Sequence, residues 1–178
     1  MDGLHRLAQL CHRRWTIPIV AELNRTKGAK FITLVNRLDA SHGSVRQALD
    51  DLIESGLLMP NPGYGHPMRP EYILTDQGQA IAGACAAIDS AIKKMNLQAV
   101  AYRKWSLPVL GAIGRGSRRF NEISHRLGSI TDRSLAISLK DLGAMTFVHR
   151  VVVESHPPRV LYDPTRRGHS IILLVEEL

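Results

Sequence analysis

The residues in this chain whose types and spacing could do chemistry are arginines, histidines and small hydroxyl residues, several of which recur at a fixed offset. His66, Pro67, Arg69, Tyr72, Thr75 and Gly78 recur 90 residues later as His156, Pro157, Arg159, Tyr162, Thr165 and Gly168. Pro and Gly around the His and Arg mark each stretch as a loop that leads into an extended segment. An Arg on such a loop can reach backbone phosphate or the minor groove, which makes Arg69 and Arg159 nucleic-acid candidates. The structural alternative is that each Arg ties its loop to the domain body through a carboxylate or carbonyl. The two His-Pro pairs suit the shaping of a turn above Tyr72 and Tyr162 better than they suit metal ligation.

Catalytic constellations are missing. The 8 His and 16 acidic residues include no His-x-x-x-His with a nearby carboxylate, and no Ser or Cys stands in an activating motif. Gly111 to Gly116 superficially resembles a nucleotide loop, but it follows a helical stretch and matches the turn at Gly28. Neither an enzyme nor a metal or other cofactor is expected. Cys11 and Cys85 are at unrelated positions and give no disulfide framework.

The 178 residues, 44% of them hydrophobic, suffice for two small cores. No apolar run approaches the roughly 20 residues needed to span a bilayer, and the first residues lack the apolar core of a signal peptide. The expected location is the bacterial cytoplasm, at the nucleoid when bound. Net charge is +7 and unevenly distributed, with 9 Lys/Arg against 8 Asp/Glu in residues 1–78, 2 against 1 in 79–100, and 12 against 7 in 101–178. A polyanionic partner fits this balance.

The 90-residue offset also pairs Arg13 with Arg103, Trp15 with Trp105, Pro18 with Pro108, Ser44 with Ser134, Leu49 with Leu139, Asp51 with Asp141 and Leu52 with Leu142. Phe31, Arg37 and Leu38 match Phe120, Arg126 and Leu127 at an offset of 89. These identities imply a tandem duplication of a domain. The predicted boundaries are 1–78 and 101–178, joined by a helical connector, 79–100.

Leu4, Leu7, Leu10 and Cys11 have helical spacing and predict an opening helix. A second helix begins near Trp15, with Pro18 in its first turn, and a third covers 30–38 after a turn at 26–28. Ser41 is a good N-cap for a fourth, ending at Gly56. Leu57 to Met59 and Glu71 to Leu74 read as strands around a loop. The second copy repeats the plan, with Thr131 capping a helix from Asp132 to Ala144 and a longer β-branched strand from Phe147 to Glu154. A final helix from Thr165 contains Ile171 to Val175, too apolar to be left in water. Two short helices, a tight turn and a β-hairpin make a winged helix-turn-helix.

The outward residues near the start of each second helix are the candidates for reading base edges. They are Ser41, His42, Ser44, Arg46 and Gln47 in the first copy, and Thr131, Asp132, Arg133, Ser134 and Ser138 in the second. Asp132 also suits the positive end of the helix dipole. Lys30, Arg118, Arg119 and Asn121 begin the preceding helices and are phosphate candidates. The bland alternative for each is a solvated helix face.

Arg14-Trp-Thr-Ile-Pro-Ile-Val20 and Lys104-Trp-Ser-Leu-Pro-Val-Leu110 resemble the Lys-Trp-Thr-x-x-Ile-Leu motif of HxlR-type winged-helix transcriptional regulators. Arg118 to Ile123, the Leu139 to Arg150 segment and Pro157-Pro-Arg-Val-x-Tyr-x-x-Thr-x-x-Gly168 extend the resemblance over both copies. It implies DNA binding, and two copies in one chain look like a fused form of the family's homodimer. The family's redox-sensing Cys-Pro motif has no match, since Cys11 lies four residues before Trp15 and no Pro follows it.

The expected fold class is therefore α+β, mainly helical, with two tandem winged helix-turn-helix domains forming an intrachain pseudo-dimer. The expected function is a sequence-specific regulator of transcription binding double-stranded DNA at an asymmetric site, because the two reading helices differ. The alternative is a protein–protein adaptor whose near-neutral first copy docks a partner while the second binds DNA non-specifically. The C-terminal helix is the expected place for a protein partner or for further self-association.

Overall fold

A computed structural model describes residues 3–63, 70–156 and 158–178. The chain begins with α1 (Gly3–Leu10), α2 (Thr16–Thr26), β1 (Ala29–Lys30), α3 (Phe31–Leu38), α4 (His42–Glu54), β2 (Leu58–Pro60), β3 (Glu71–Leu74) and α5 (Asp76–Lys94). It continues with α6 (Gln98–Ala101), α7 (Ser106–Gly114), α8 (Phe120–Leu127), α9 (Asp132–Ala144), β4 (Val148–Val153), β5 (Arg159–Pro164) and α10 (Arg166–Glu176). These elements form two compact units, Arg13–Lys94, and Met1–His12 together with Met95–Leu178.

In the Arg13–Lys94 unit, α2 is buried over most of its surface and lies along α5. Ile17, Ile19, Val20 and Leu23 meet a core that includes Ile81, Cys85, Ile88 and Ile92 of α5, spaced three or four apart as one helical face requires. The predicted turn after α2 is present, but Lys27, at φ 63°, takes the left-handed position rather than Gly28. Its N–H closes on Leu23 O. The three strands are antiparallel in the order β1-β3-β2, with Ala29 opposite Tyr72 and Leu58 opposite Leu74.

In the other unit α7 is the hub, touching α1, α8, α9 and α10. Gly111 and Gly114 make this possible. A β-carbon on Gly111 would lie 3.2–3.5 Å from Val175, Leu7 and Leu4, and one on Gly114 would overlap Ile172. The glycine-rich stretch is thus a packing surface for α1 and α10. Ile171, Ile172 and Val175 of α10 are buried there, while Leu173 is 52% exposed. The β4–β5 hairpin runs from Val148↔Pro164 to Val153↔Arg159, twice the paired length of β2. The β-branched run predicted this difference.

The structure differs from the sequence reading in several places. The opening helix α1 packs with residues 95–178, not with the residues that directly follow it, and α5, predicted as a connector, belongs to the core of the Arg13–Lys94 unit. An amphipathic stripe says that a helix buries one face but not which neighbour covers it. Strand β1 was not predicted, because two residues carry no period. Arg118 and Arg119 precede α8 instead of lying within it. Among the described residues no helix is long and apolar enough to cross a membrane.

Candidate nucleic-acid interface

The helices α3 and α4 pack together in one unit and α8 and α9 in the other, and the second helix of each pair is capped in the same way. Ser41 Oγ accepts from the N–H of Ser44 at 3.2 Å, and Thr131 Oγ1 accepts from the N–H of Ser134 at 3.3 Å. In both caps the two hydroxyls lie 2.9 Å apart. Ser44 and Ser134 therefore recur because they complete a helix cap, in addition to any contact they make outward.

The outward face of α4 is organised by Phe31 of α3. The Arg46 guanidinium stands 4.5 Å from the centre of the Phe31 ring, and the His42 ring is 5.7 Å from the same centre. A flat guanidinium on an aromatic face is held by cation–π attraction while its edge donors stay free. Gln47 is exposed beside them and accepts from Arg13 Nη1 at 3.4 Å. Arg13 in turn pairs through Nε with Asp51 at 2.9 Å, and Arg103 pairs with Asp141 at 2.6 Å. These ion pairs explain why Arg13, Asp51, Arg103 and Asp141 recur, since each ties the approach to α2 or α7 to α4 or α9.

The cap residue Thr131 and Arg133 of α9 are exposed, and Ser134 is half-buried. Ser138, expected to face outward, is buried with Leu135, Leu139 and Leu142 on the core side. The outward side instead carries Ile137 and Lys140, neither of which was singled out from sequence. The helical repeat alone separates these positions, but a serine gives no hydrophobic signal of burial.

At the entrance to α8, Glu122 Oε2 accepts from the backbone N–H groups of both Arg118 and Arg119 at 3.0 Å. These two bonds, the Arg119 one foremost, hold the Glu122 carboxyl below its ordinary value. Arg118 also forms an ion pair with Asp163 on β5, and its carbonyl accepts from Tyr162 N–H at 2.8 Å. Arg119 Nε lies 3.6 Å from Glu122. Lys30 and Asn121 are exposed at the starts of α3 and α8.

Arg159 is exposed at the start of β5, opposite Val153. Arg150, on β4 opposite Tyr162, is a second exposed hairpin cation that sequence reading did not pick out. Arg69, His66, Pro67 and Pro157 lie outside the described residues. Among the described residues no three His, Cys, Asp or Glu side chains gather as a metal site.

Helix, helix-turn-helix, β-hairpin and a further packed helix define a winged helix-turn-helix class of protein. Residues 100–178 match the model of the HxlR-like helix-turn-helix family. A 76-residue stretch, 42% of this chain, is 30% identical to 70% of YdzF, an uncharacterized HTH-type transcriptional regulator of Bacillus subtilis. The chain belongs to the HxlR-like helix-turn-helix family. An uncharacterized HTH-type transcriptional regulator of Methanothermobacter thermautotrophicus is 37% identical over 75 residues, covering 42% of this chain and 57% of that protein. The HTH-type transcriptional regulator YodB of Bacillus subtilis is 26% identical over 94 residues, 53% of this chain and 79% of that protein. The chain spans 50–57% of the length of several such relatives. No solved structure matches it.

Proposed function

We propose that this chain is a sequence-specific transcriptional regulator that binds double-stranded DNA through two non-identical winged helices in tandem, on an asymmetric site. The carrying observation is that α4 and α9 are capped alike yet present different side chains outward, Arg46 and Gln47 on one and Arg133 on the other. Helices that differ at their reading positions select different bases. Family membership and the naming of the relatives as HTH-type transcriptional regulators support the DNA partner. Lys30, Arg118, Arg119, Asn121, Arg159 and the wing residue Arg69 supply backbone contacts in this reading. About 6–8 phosphate contacts correspond to a log–log salt slope of about −5 to −7.

The test is capture of genomic fragments by the purified chain at two salt concentrations. Enrichment of one asymmetric motif that survives the higher salt is expected. Two identical inverted half-sites would overturn the asymmetric site, and uniform salt-labile binding would overturn sequence-specific regulation.

A second reading, the adaptor, is favoured by the charge difference between residues 1–78 and 101–178. In it the first half docks a protein and only the second touches DNA, with Leu173 of α10 available for self-association. It predicts that variants of Arg46 and Gln47 leave the selected motif unchanged.

A further inference from the structure

We infer that Ile137 reads a thymine methyl group in the major groove, making α9 a thymine-selective helix. This rests on the DNA-binding reading above and names a base contact within it. Ile137 is 47% exposed although it belongs to a helix whose opposite side, Leu135, Leu139 and Leu142, is buried. Its neighbours at helical spacing are Arg133 one turn before and Lys140 one turn after, with Ser134 and Asp141 alongside. No second exposed apolar side chain adjoins it on α9, apart from the small Ala136, so the position lacks the continuous patch that a protein partner would need.

A cation on either side of a single branched hydrocarbon is the composition of a helix laid between two phosphate strands. The flanking charges meet the backbones, and the middle of the face meets the groove floor. There the apolar group exposed by a base pair is the C5-methyl of thymine. Ile137 stands in the sixth position of α9, counted from Asp132, so it lies within the N-terminal half that enters the groove. Gln47, at the same offset on α4, is polar, so the preference would be confined to one half of the site.

The experiment uses the full chain on its selected DNA site, with each thymine of the α9 half replaced singly by uracil, which lacks only the methyl. At one position the intact chain should lose about fourfold in affinity, the equivalent of one buried methyl. Ile137→Ala, a change at an exposed position that leaves the core intact, should bind thymine and uracil at that position equally. A defined site bound with no thymine-to-uracil effect at any position would overturn the inference and leave the proposed function standing. So would an effect that persists undiminished in Ile137→Ala. Absence of any preferred site, by contrast, would overturn the proposed function itself.

Discussion

A β-carbon placed on Gly168 would overlap the carbonyl oxygen of Phe147, and one on Gly78 would overlap that of Leu57 in the same way. These glycines stand in the first turns of α10 and α5, where Thr165 and Thr75 cap the helix. Gly168 N–H donates to Thr165 Oγ1 at 3.0 Å, and Gly78 N–H donates to Thr75 Oγ1 at 3.1 Å. Each threonine also bonds back to the segment before the hairpin, Thr165 N–H to Phe147 O at 3.0 Å and Thr75 N–H to Leu57 O at 3.1 Å. The recurring Thr-x-x-Gly is thus a clasp that closes the hairpin onto the following helix. Gly168→Ala or Gly78→Ala should destabilise its unit by on the order of 3 kcal/mol, because backbone rather than a flexible side chain must move. Gly83→Ala, in the exposed middle of α5 with open space around it, should instead add about 0.5–1 kcal/mol. Denaturant unfolding of the three variants checks both signs.

Arg46→Lys keeps the charge on α4 and removes the flat group that rests on Phe31. It should cost about tenfold at one base pair, where a bidentate contact is lost, with little change elsewhere in the site. Competition binding against single-base variants of the selected DNA reads this directly.

Arg159→Ala should behave differently. Loss of an exposed hairpin cation that meets phosphate weakens binding to every sequence and flattens the salt slope by about one unit. Titrations at four or five salt concentrations would show it, and an unchanged slope would remove Arg159 from the interface.

Acid should loosen the entrance to α8. The backbone N–H groups of Arg119 and Arg118 lower the folded-state Glu122 carboxyl from its ordinary value of 4.5, so the folded state favours the ionised form. A depressed carboxyl contributes stability that is complete above its unfolded value and disappears as pH falls through the folded one. Glu122→Gln should therefore flatten the fall of stability below about pH 5, measured by thermal unfolding across that range.

Cys85 should be inert in the folded chain. Burial, with the nearby negative charge of Asp89 adding to it, pushes its thiol up to about 12, and Cys11 is buried as well. A chromogenic disulfide reagent at pH 8 should label neither thiol in the native protein and both after denaturation.

Much of the fold was readable because strong periods and caps coincide. The α9 span Asp132–Ala144 and the β3 span Glu71–Leu74 fall where predicted, since a Thr cap marks the start of the helix and a Pro-rich loop and Thr75 bound the strand. The candidate face was only partly readable. Arg46 and Arg133 stand exposed on α4 and α9, but the role of Phe31 under Arg46 depends on a packing angle between α3 and α4 that no linear spacing encodes. Ser138 misled for the opposite reason, as a polar type in a buried place. Recurrence of residues was the most informative signal, although it marked clasps, caps and ion pairs at least as often as positions open to a ligand.

Helix α1 gives the chain a long circuit. Leu4 and Leu7 pack beside Gly111, and Arg6 Nη1 donates to the carbonyl of Leu178 at 3.2 Å, so the earliest helix in the chain completes a core whose last strands and helix come more than 140 residues later. On the ribosome α1 must wait, its leucines uncovered, while the whole Arg13–Lys94 unit emerges and folds. Closing so long a loop is slow. During that interval the face of α7 that α1 covers in the finished fold stays open.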